Sequence, residues 1–373
     1  MKITAAVVQE ADADLVLREL ELDEPRSDEI RVRLVATGVC HTDAAILHQL
    51  YPTRLPIVLG HEGAGVVEAV GQAVTGIRPG DHVILSVNSC GHCVKCLTGD
   101  SAYCEDLFAR NFGAARADGT TSLTAGGEPV GSHFFGQSSF ASHANVAARS
   151  VVVVDANLDE LALLGPLGCG FQTGAGAVLN ELRPAPGSTL AVFGTGAVGT
   201  AALMAARVAG CAKIIAVDVV PERLELAREL GATDVINSRS EDPAERLHQI
   251  TSGRGLDFAL DTTGIPAVLR TAVEALAIRG TAALVGAAKP GTEASFEIGA
   301  SLTRGWTFKT IVEGSAVPQV FIPALISLWR TGRFPFDKLV KTYPLAAIND
   351  AFADSANGTT VKPIVLFEQP DSH

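Results

Sequence analysis

The sequence predicts an α/β protein in which a domain with a doubly wound parallel sheet is inserted into a β-rich domain. Residues 1–169 contain short apolar runs separated by glycine-rich turns, whereas strands and helices alternate from about residue 170 onward. Such alternation is typical of a parallel sheet with helices on both faces. A helix and short strands follow after residue 311, so we expect residues 312–373 to return to the first domain.

Length and composition exclude several classes of protein. The 373 residues suffice for two domains with separate cores. The net charge of −12 argues against a nucleic-acid-binding surface, which needs a basic face. The N-terminal apolar run is too short for a signal peptide. The uncharged stretches 161–180 and 184–206 are interrupted by glycines and prolines, so we expect a cytoplasmic protein without a membrane partner.

Individual elements follow from local patterns. Residues 5–8 and 30–36 are predicted strands, the second from its alternating apolar and polar positions. A Pro-Gly turn at 79–80 leads into a further strand. Residues 221–231 predict a helix with proline at its start and glycine at its end. Further strands are predicted at 234–237, 256–261 and 281–286, and a last helix at 317–332.

Residues 190–218 predict a strand, a glycine turn, a helix and a second strand that ends in a carboxylate. In such a unit Gly194 permits the turn, Gly196 lets a pyrophosphate approach the backbone, and Gly199 lets helix and strand pack closely. The N-terminus of the helix offers free N–H groups to the phosphates. Asp218 lies 19 residues after Gly199, a spacing suited to binding the adenosine ribose, and it would repel a 2′-phosphate. We therefore predict NAD rather than NADP; the alternative is a structural unit without a ligand.

Seven cysteines, an odd number without a secretion signal, favour metal binding or catalysis over disulfides. Four of them lie within 15 residues, at Cys90, Cys93, Cys96 and Cys104. Four thiolates suit tetrahedral zinc in a closed structural site. The alternatives are free or redox thiols and an iron–sulfur cluster, although ferredoxin runs have a shorter last gap and a following proline. His92, inside the cluster, is interpreted as a bystander.

Cys40, His61 and Cys169 are far apart in the sequence, and spacing alone does not join them. Two sulfurs and an imidazole would leave a fourth zinc position free for substrate, as in a catalytic site. Taken singly, each residue is better interpreted as a buried cysteine or a hydrogen-bonded core histidine.

Five motifs together change that interpretation. They are Gly-Val-Cys-His-Thr-Asp at 38–43, Gly-His-Glu-Gly-Ala-Gly at 60–65, the four-cysteine segment, Gly-Cys-Gly-Phe-Gln-Thr-Gly at 168–174, and the glycine motif ending at Asp218. With these motifs the chain resembles the zinc-dependent medium-chain alcohol dehydrogenases over essentially its full length, and most of all their aryl-alcohol (benzyl alcohol) branch. The resemblance implies a GroES-like catalytic domain, residues 1–169 and 312–373, around an inserted NAD-binding Rossmann domain, residues 170–311.

The resemblance also implies the metal ligands. Cys40, His61 and Cys169 would hold a catalytic zinc, with Glu62 as the neighbouring carboxylate. The four clustered cysteines would hold a structural zinc, which gives two zinc ions per subunit. Cys211 matches neither site and is interpreted as a buried apolar filler.

The implied reaction is the reversible oxidation of primary alcohols to aldehydes, with hydride transfer from a zinc-bound alkoxide to NAD. Thr42 would begin the proton relay, unless it only caps a turn. His41 stands where related enzymes usually carry an arginine against the pyrophosphate, and a histidine gives a weaker, pH-dependent contact. Ala45 stands where a relay histidine often sits, so His41, His48 or water would take the last proton step.

Other positions suggest further contacts. Lys362 resembles the family's C-terminal basic residue on the pyrophosphate, with an exposed lysine of no function as the alternative, and Arg223 is expected near the adenosine ribose. Ser86, at a position often filled by an aromatic residue, suggests a roomy substrate pocket, which Tyr51 and Phe140 would line unless they are ordinary packing residues. A large substrate pocket favours aromatic or allylic alcohols such as benzyl alcohol or geraniol, because a smaller alcohol would make fewer van der Waals contacts with its walls.

Three alternative functions stay open. They are an S-(hydroxymethyl)glutathione (formaldehyde) dehydrogenase, a short aliphatic alcohol dehydrogenase, and a catalytically inactive protein that binds NAD and zinc. The first needs cationic anchors for a glutathione carboxylate, which the sequence does not reveal. The last would be expected to lose a zinc ligand or Thr42. For the assembly, the resemblance implies a homodimer or homotetramer acting on a small alcohol or aldehyde.

Overall fold

A computed structural model describes residues 1–368 of the chain. The chain divides into two compact units. The first comprises Met1–Cys169, Val317–Ala324 and the segment from Asp337 onward, and the second comprises Gly170–Ala316 and Leu325–Phe336. The region after residue 311 therefore contributes to both units.

The described residues form the following strands and helices, numbered in chain order. The strands are β1 Lys2–Val8, β2 Val16–Leu22, β3 Glu29–Gly38, β4 Ile57–Val58, β5 Gly63–Val70, β6 His82–Leu85, β7 Leu123–Ala125, β8 Glu128–Val130, β9 His143–Ala147, β10 Val151–Val153, β11 Thr189–Phe193, β12 Lys213–Asp218, β13 Asp234–Asn237, β14 Leu256–Asp261, β15 Leu276–Leu284, β16 Thr307–Thr310, β17 Val340–Pro344 and β18 Lys362–Leu366. The α-helices are α1 His41–Leu47, α2 Val94–Leu97, α3 Leu107–Phe112, α4 Leu158–Leu164, α5 Gly170–Gly176, α6 Ala197–Ala209, α7 Pro221–Glu229, α8 Pro243–Ile250, α9 Pro266–Glu274, α10 Ile298–Arg304, α11 Pro318–Arg330 and α12 Ile348–Asn357.

The first unit is built on two sheets. One has the strand order β4-β1-β2-β7-β8, and the other has the order β10-β6-β5-β3-β18-β17, with β9 also paired to β3. β3 is the long central strand of the second sheet, and its apolar residues alternate with arginines, as the sequence predicts. Buried Ile30, Val32 and Leu34 pack in one core with apolar residues of β5, β6 and β9. The antiparallel pairing of β18 with β3 joins the C-terminal segment to this unit.

The second unit contains one parallel sheet in the order β13-β12-β11-β14-β15-β16. All five residues of β11 are buried, as expected for a central strand covered on both faces. The chain builds outward from β11 in one direction and then from β14 in the other, so the order reverses between these two strands. This is the strand order of a Rossmann fold. The predicted doubly wound sheet is thereby confirmed.

Within residues 1–368 no single helix is long and apolar enough to cross a membrane. The consecutive helical segments Leu158–Gly168 and Gly170–Leu182 meet the criteria of length and composition only as a broken pair. The break falls within the uncharged stretch 161–180.

A buried ionic network secures the first residue of β3. The carboxylate of Glu29 accepts hydrogen bonds from Arg116 Nε at 2.6 Å and Nη2 at 2.9 Å, and lies 2.9 Å from His133 Nε2. Burial opposes the charged form, but the hydrogen bonds with His133 and Arg116 outweigh burial and hold the pKa of Glu29 well below its usual range. The network therefore ties β3 to two parts of the segment between α3 and β9.

We expect Glu29→Gln to lower the free energy of unfolding by about 3 kcal/mol at pH 7, because it leaves Arg116 buried without its anion. The pKa of Glu29 is lower in the folded than in the unfolded protein. The carboxylate therefore stabilises the fold fully above the ordinary glutamate pKa of 4.5, and this stabilisation is lost as the pH falls below 4.5. Urea unfolding followed by circular dichroism at pH 7 and pH 4 measures both effects. Glu19→Gln, in the exposed pair with Lys2, is the control and should leave the midpoint unchanged. Equal midpoints for Glu29→Gln and wild type would contradict the prediction.

Candidate active site

The fold brings together the three distant residues Cys40, His61 and Cys169. Their ligand atoms, together with a carboxylate oxygen of Glu62, all lie within 4.8 Å of one another. Cys40 precedes α1, His61 lies in the turn between β4 and β5, and Cys169 follows the short helix Gly165–Gly168. All of these elements belong to the first unit.

Two glycines allow the backbone turns that place these ligands. Gly60, next to His61, has a φ of +89°, and a Cβ there would lie 2.5 Å from the backbone nitrogen of Phe140. A Cβ on Gly168, next to Cys169, would lie 2.0 Å from the carbonyl oxygen of Leu85. Glycine is therefore needed at position 60 for its conformation and close approach, and at position 168 for the close approach. The glycines flanking the ligands are therefore part of the site's construction.

A buried carboxylate orients the histidine. Asp43 Oδ1 lies 3.0 Å from His61 Nδ1 and accepts the N–H of Gly60 at 3.0 Å, and its Oδ2 accepts the N–H of Cys40 at 3.0 Å. With Nδ1–H directed at Asp43, the lone pair of Nε2 is free to bind a metal. Nε2 is buried and has no hydrogen-bond partner within residues 1–368. An imidazole so arranged beside two cysteine sulfurs fits a zinc ion.

The electrostatics of the site favour the metal-binding thiolate of Cys40 but the protonated form of His61. The hydrogen bond with Cys169 lowers the pKa of Cys40 well below its usual range, despite burial and with help from His61 and Lys362. Burial opposes protonation of His61, but Asp43 and Cys40 outweigh it and raise its pKa well above its usual range. Without a metal, the cluster thus favours a thiolate beside an imidazolium, which a divalent cation would replace by a thiolate and a neutral imidazole.

Glu62 and Lys362 form a buried ion pair next to the metal ligands. Lys362 Nζ donates to Glu62 Oε1 at 2.8 Å, to Oε2 at 2.9 Å and to the carbonyl of Val39 at 3.2 Å. Burial raises the pKa of Glu62, whereas Glu62 raises the pKa of Lys362 against the effect of burial. The alternative of an exposed lysine of no function is wrong, because Lys362 is 2% exposed. Its contact with a pyrophosphate stays a prediction.

The predicted relay residues lie on and around α1. Thr42 Oγ1 is 3.9 Å from Cys40 Sγ, and Thr42 is half-buried. His41 and His48 are exposed, and His48 Nδ1 lies 2.6 Å from Asp12 Oδ1. Ala45 is buried, unlike the two histidines, and His48 follows the last residue of α1. The roles of Thr42, His41 and His48 in proton transfer stay predictions.

The four clustered cysteines also converge. The sulfurs of Cys90, Cys93, Cys96 and Cys104 all lie within 4.8 Å of one another. Backbone N–H groups donate to three of these sulfurs, at 3.2 to 3.5 Å. Backbone hydrogen bonds from Glu105 and Cys96 lower the pKa of Cys93 to about 6, while burial raises the pKa of Cys104 to about 12. The set fits a closed four-thiolate zinc site, and neither His92 nor Cys211 belongs to it.

The glycine turn of the second unit is built as a dinucleotide site requires. Gly194 has a φ of +86°, and a Cβ on Gly199 would lie 1.9 Å from the carbonyl oxygen of Gly194. Gly196 precedes α6 and has open space where its Cβ would be, so the backbone is accessible to a phosphate. Asp218 ends β12, and its Oδ2 accepts the N–H and the hydroxyl of Thr195 at 2.6 and 2.7 Å. These groups fit a nicotinamide dinucleotide.

The adenosine contacts stay predictions. The other oxygen of Asp218 accepts the N–H groups of Val219 and Val220 at 2.7 and 3.0 Å. Arg223 lies in the first turn of α7, half-buried, and its Nε has no partner among the described residues. Four hydrogen bonds within the protein thus engage the Asp218 carboxylate, whereas Arg223 Nε has none among the described residues.

The proposed substrate-pocket residues differ in their surroundings. The Ser86 hydroxyl is buried and donates to the carbonyl of Gly168 at 2.6 Å, next to Cys169. Tyr51 is half-buried, with its ring centroid 5.9 Å from that of Phe112. Phe140 is fully buried in the apolar core, so the alternative of ordinary packing holds for it.

Sequence reasoning missed four residues around His61. Asp43 was quoted only as part of a motif, although it stands three residues after Cys40 at the start of a helix. Phe135 stacks on the imidazole with ring centroids 4.5 Å apart, and Phe134 meets it edge-on at 5.4 Å. Gln137 Nε2 donates to the carbonyl of His61 at 2.9 Å. Only the Phe-Phe-Gly-Gln run at 134–137 offered a signal for the last three.

Two family models match the chain in succession. The alcohol dehydrogenase GroES-like domain matches residues 26–156, and the zinc-binding dehydrogenase domain matches residues 197–329. Geraniol dehydrogenase of Castellaniella defragrans is 41% identical over 364 residues, which is 97% of each chain.

Solved structures give the same result. The structure of benzyl alcohol dehydrogenase from Acinetobacter calcoaceticus is 48% identical with a TM-score of 0.95, and the match covers 99% of this chain and 100% of that one. An alcohol dehydrogenase zinc-binding domain protein from Burkholderia ambifaria is 54% identical, with a TM-score of 0.97 and the same coverage. The fold is therefore shared with these structures over nearly the whole chain. The chain therefore belongs to the zinc-dependent medium-chain alcohol dehydrogenases, which use a nicotinamide cofactor.

Proposed function

We propose that this protein reversibly oxidises aromatic or allylic primary alcohols to aldehydes with NAD, using one catalytic and one structural zinc ion per subunit. The observation that carries the proposal is the buried, unpartnered Nε2 of His61 beside the sulfurs of Cys40 and Cys169. The relatives named for geraniol and benzyl alcohol support the substrate class.

The chemistry divides between the metal and the chain. A zinc ion held by Cys40, His61 and Cys169 supplies Lewis-acid polarisation of the alcohol oxygen. Asp43 fixes the ring of His61, and the aromatic rings on that imidazole exclude water from it. Thr42 would accept the hydroxyl proton while passing its own proton to His41, His48 or water, and a bound nicotinamide would supply the hydride acceptor for the carbinol carbon. The alcohol thereby loses one proton and one hydride and becomes the aldehyde.

The cofactor proposal rests on Asp218. Its carboxylate ends β12 beside the glycine turn, where an adenosine ribose binds in folds of this strand order. A 2′-phosphate would meet this negative charge, so NAD is favoured over NADP.

The substrate proposal rests on a small residue next to a metal ligand. Ser86 is hydrogen-bonded to Gly168, whose neighbour Cys169 is a proposed ligand. Because serine is smaller than the aromatic ring often found at this position, we expect more space beside the metal than an aromatic residue would leave. A flat ring or a branched allylic chain has more surface than ethanol with which to fill such space, so dispersion contacts favour the larger alcohol.

The assembly proposal is a homodimer formed through the second unit, with a homotetramer as the alternative. β16 is the edge strand of the parallel sheet, and α10 precedes it directly in the chain. Ile298 and Leu302 of α10 are 82% and 80% exposed, and Phe308 on β16 is also exposed. An unpaired sheet edge beside large exposed apolar side chains is typical of an interaction surface.

Asp43→Ala should weaken the catalytic zinc site by about 10- to 100-fold, because His61 loses the group that orients its ring. Zinc content after dialysis against a chelator should then fall from two ions per subunit to one. Asp12→Ala, which removes the exposed partner of His48, is the matched control and should retain both ions. Retention of two ions by Asp43→Ala would contradict the role assigned to this carboxylate.

The zinc-replete protein should reduce NAD with benzyl alcohol or geraniol at a kcat/KM about tenfold above that for ethanol, or roughly 1.4 kcal/mol of transition-state binding. NADH formation at 340 nm measures this directly. Formaldehyde with glutathione is tested alongside. Turnover of that adduct alone would replace the proposed substrate class, and the absence of any turnover would favour an inactive binding protein.

The double variant Ile298→Glu, Leu302→Glu should be a monomer where the wild type is an oligomer, because two buried charges would oppose association. Light scattering coupled to size-exclusion chromatography gives the mass. Val16→Glu, at an exposed apolar position of the first unit, serves as the control. An unchanged mass for the double variant would place the interface elsewhere.

A further inference from the structure

Two acids flank the glycine turn at the carboxyl end of the parallel sheet. Asp218 ends β12 and Asp261 ends β14, and these strands are the two neighbours of β11, from which the glycine turn leads. β11 and β14 are also the strands between which the strand order reverses. Ligands of such sheets bind outside the carboxyl ends at this point. Asp261 thus lies where a ligand of the sheet is expected.

Burial of the Asp261 carboxyl group costs folding free energy. It is fully buried, and Oδ1 accepts the N–H and the hydroxyl of Thr263 at 2.8 and 2.7 Å. Oδ2 is buried as well, and none of the described residues gives it a hydrogen bond. Burial raises the pKa of this carboxyl group. A buried acid with one unsatisfied oxygen needs an explanation beyond packing.

The turn that Asp261 shapes, residues 261–264, is attached to the neighbouring strand ends. The N–H of Thr262 donates to the carbonyl of Phe193 at 2.9 Å, and its hydroxyl donates to the carbonyl of Gly194 at 3.1 Å. On the other side, the carbonyl of Asp261 accepts the N–H of Val285 at 2.9 Å. A Cβ on Gly194 would lie only 2.6 Å from Thr262 Oγ1. The 261–264 turn therefore packs directly against the first residue of the glycine turn.

We infer that Asp261 is a positioning residue for the nicotinamide half of the dinucleotide, which it serves by holding the 261–264 turn against the glycine turn. A Rossmann fold is built from two mononucleotide-binding halves. Asp218 marks the adenosine half on the β12 side, which leaves the β14 side for the nicotinamide half. The inference rests on the proposed function, because it requires that NAD binds to this sheet.

The assignment is tested by measuring the affinity for a ligand with the nicotinamide ring and for a ligand without it. NADH binding is followed by the fluorescence of its reduced nicotinamide, and ADP-ribose, which lacks the nicotinamide ring, is followed by calorimetry. Asp261→Ala should weaken NADH by about tenfold or more, as expected for loss of a buried hydrogen-bonded anchor, and change ADP-ribose by less than about twofold. Asp261→Asn keeps an acceptor for Thr263 and should bind NADH within about threefold of wild type.

A matched control lies at the opposite end of the same strand. Asp257 Oδ2 accepts the N–H of Thr189 at 2.8 Å, where β14 and β11 begin. Asp257→Ala loses a comparable hydrogen bond and should leave both affinities unchanged. If Asp261→Ala does not fold, Thr263→Val replaces it, because this variant keeps the carboxylate and removes the hydroxyl that donates to Asp261 and accepts the N–H of Ile265. It should weaken NADH by about threefold without affecting ADP-ribose.

The outcomes separate the two proposals. Wild-type protein that binds no NADH would overturn the proposed cofactor and this inference with it. Normal NADH binding by wild type and by Asp261→Ala alike would overturn the inference alone. Equal losses of NADH and ADP-ribose in Asp261→Ala would also overturn it, because the carboxylate would then support the sheet as a whole.

Discussion

The catalytic metal site depends on the hydrogen bonds that converge on the buried carboxylate of Asp43. Its two oxygens receive the ring of His61 and the backbone N–H groups of Gly60 and Cys40. A carboxylate removed from water is tolerable only when such donors replace its hydration. Because the donors come from the start of α1 and from the turn before β5, neither segment can move without exposing the other's unsatisfied groups. The direction of His61 Nε2 follows from this constraint.

Charge explains why the C-terminal segment returns to the first unit. Cys40, Cys169 and Glu62 place potential negative charges within one small buried volume. Lys362 Nζ, from a position 300 residues later than Glu62, provides a cation there. It arrives on β18, whose antiparallel pairing with β3 fixes its depth in the sheet. The C-terminal segment of the first unit therefore contributes both a strand to the sheet and a compensating charge to the site.

The sequence allowed prediction of whatever depends on local spacing. The four clustered cysteines and the glycine motif each lie within a short segment, so the ligand type and the turn could be inferred from the residues alone. Cys40, His61 and Cys169 could be joined only through resemblance to a family, because their meeting depends on long-range strand pairing. Burial was harder still: Lys362 pairs with Glu62 inside the protein, and Phe140 lies in the core. Neither position carries a local pattern that distinguishes a buried side chain from an accessible one.

The conformation of the glycine turn in the second unit also depends on residues that are distant in the sequence. Its glycines remove the side chains that would otherwise fill the turn, and with them the contacts that would hold its backbone. Asp218 supplies those contacts from β12 through Thr195, and Thr262 supplies them from β14 through the carbonyl of Gly194. A backbone that must stay bare for a phosphate is thus held in shape by polar side chains of the adjacent strands. A glycine motif alone is consequently weak evidence for a dinucleotide site, whereas a glycine motif tied to polar groups at both neighbouring strand ends is strong evidence.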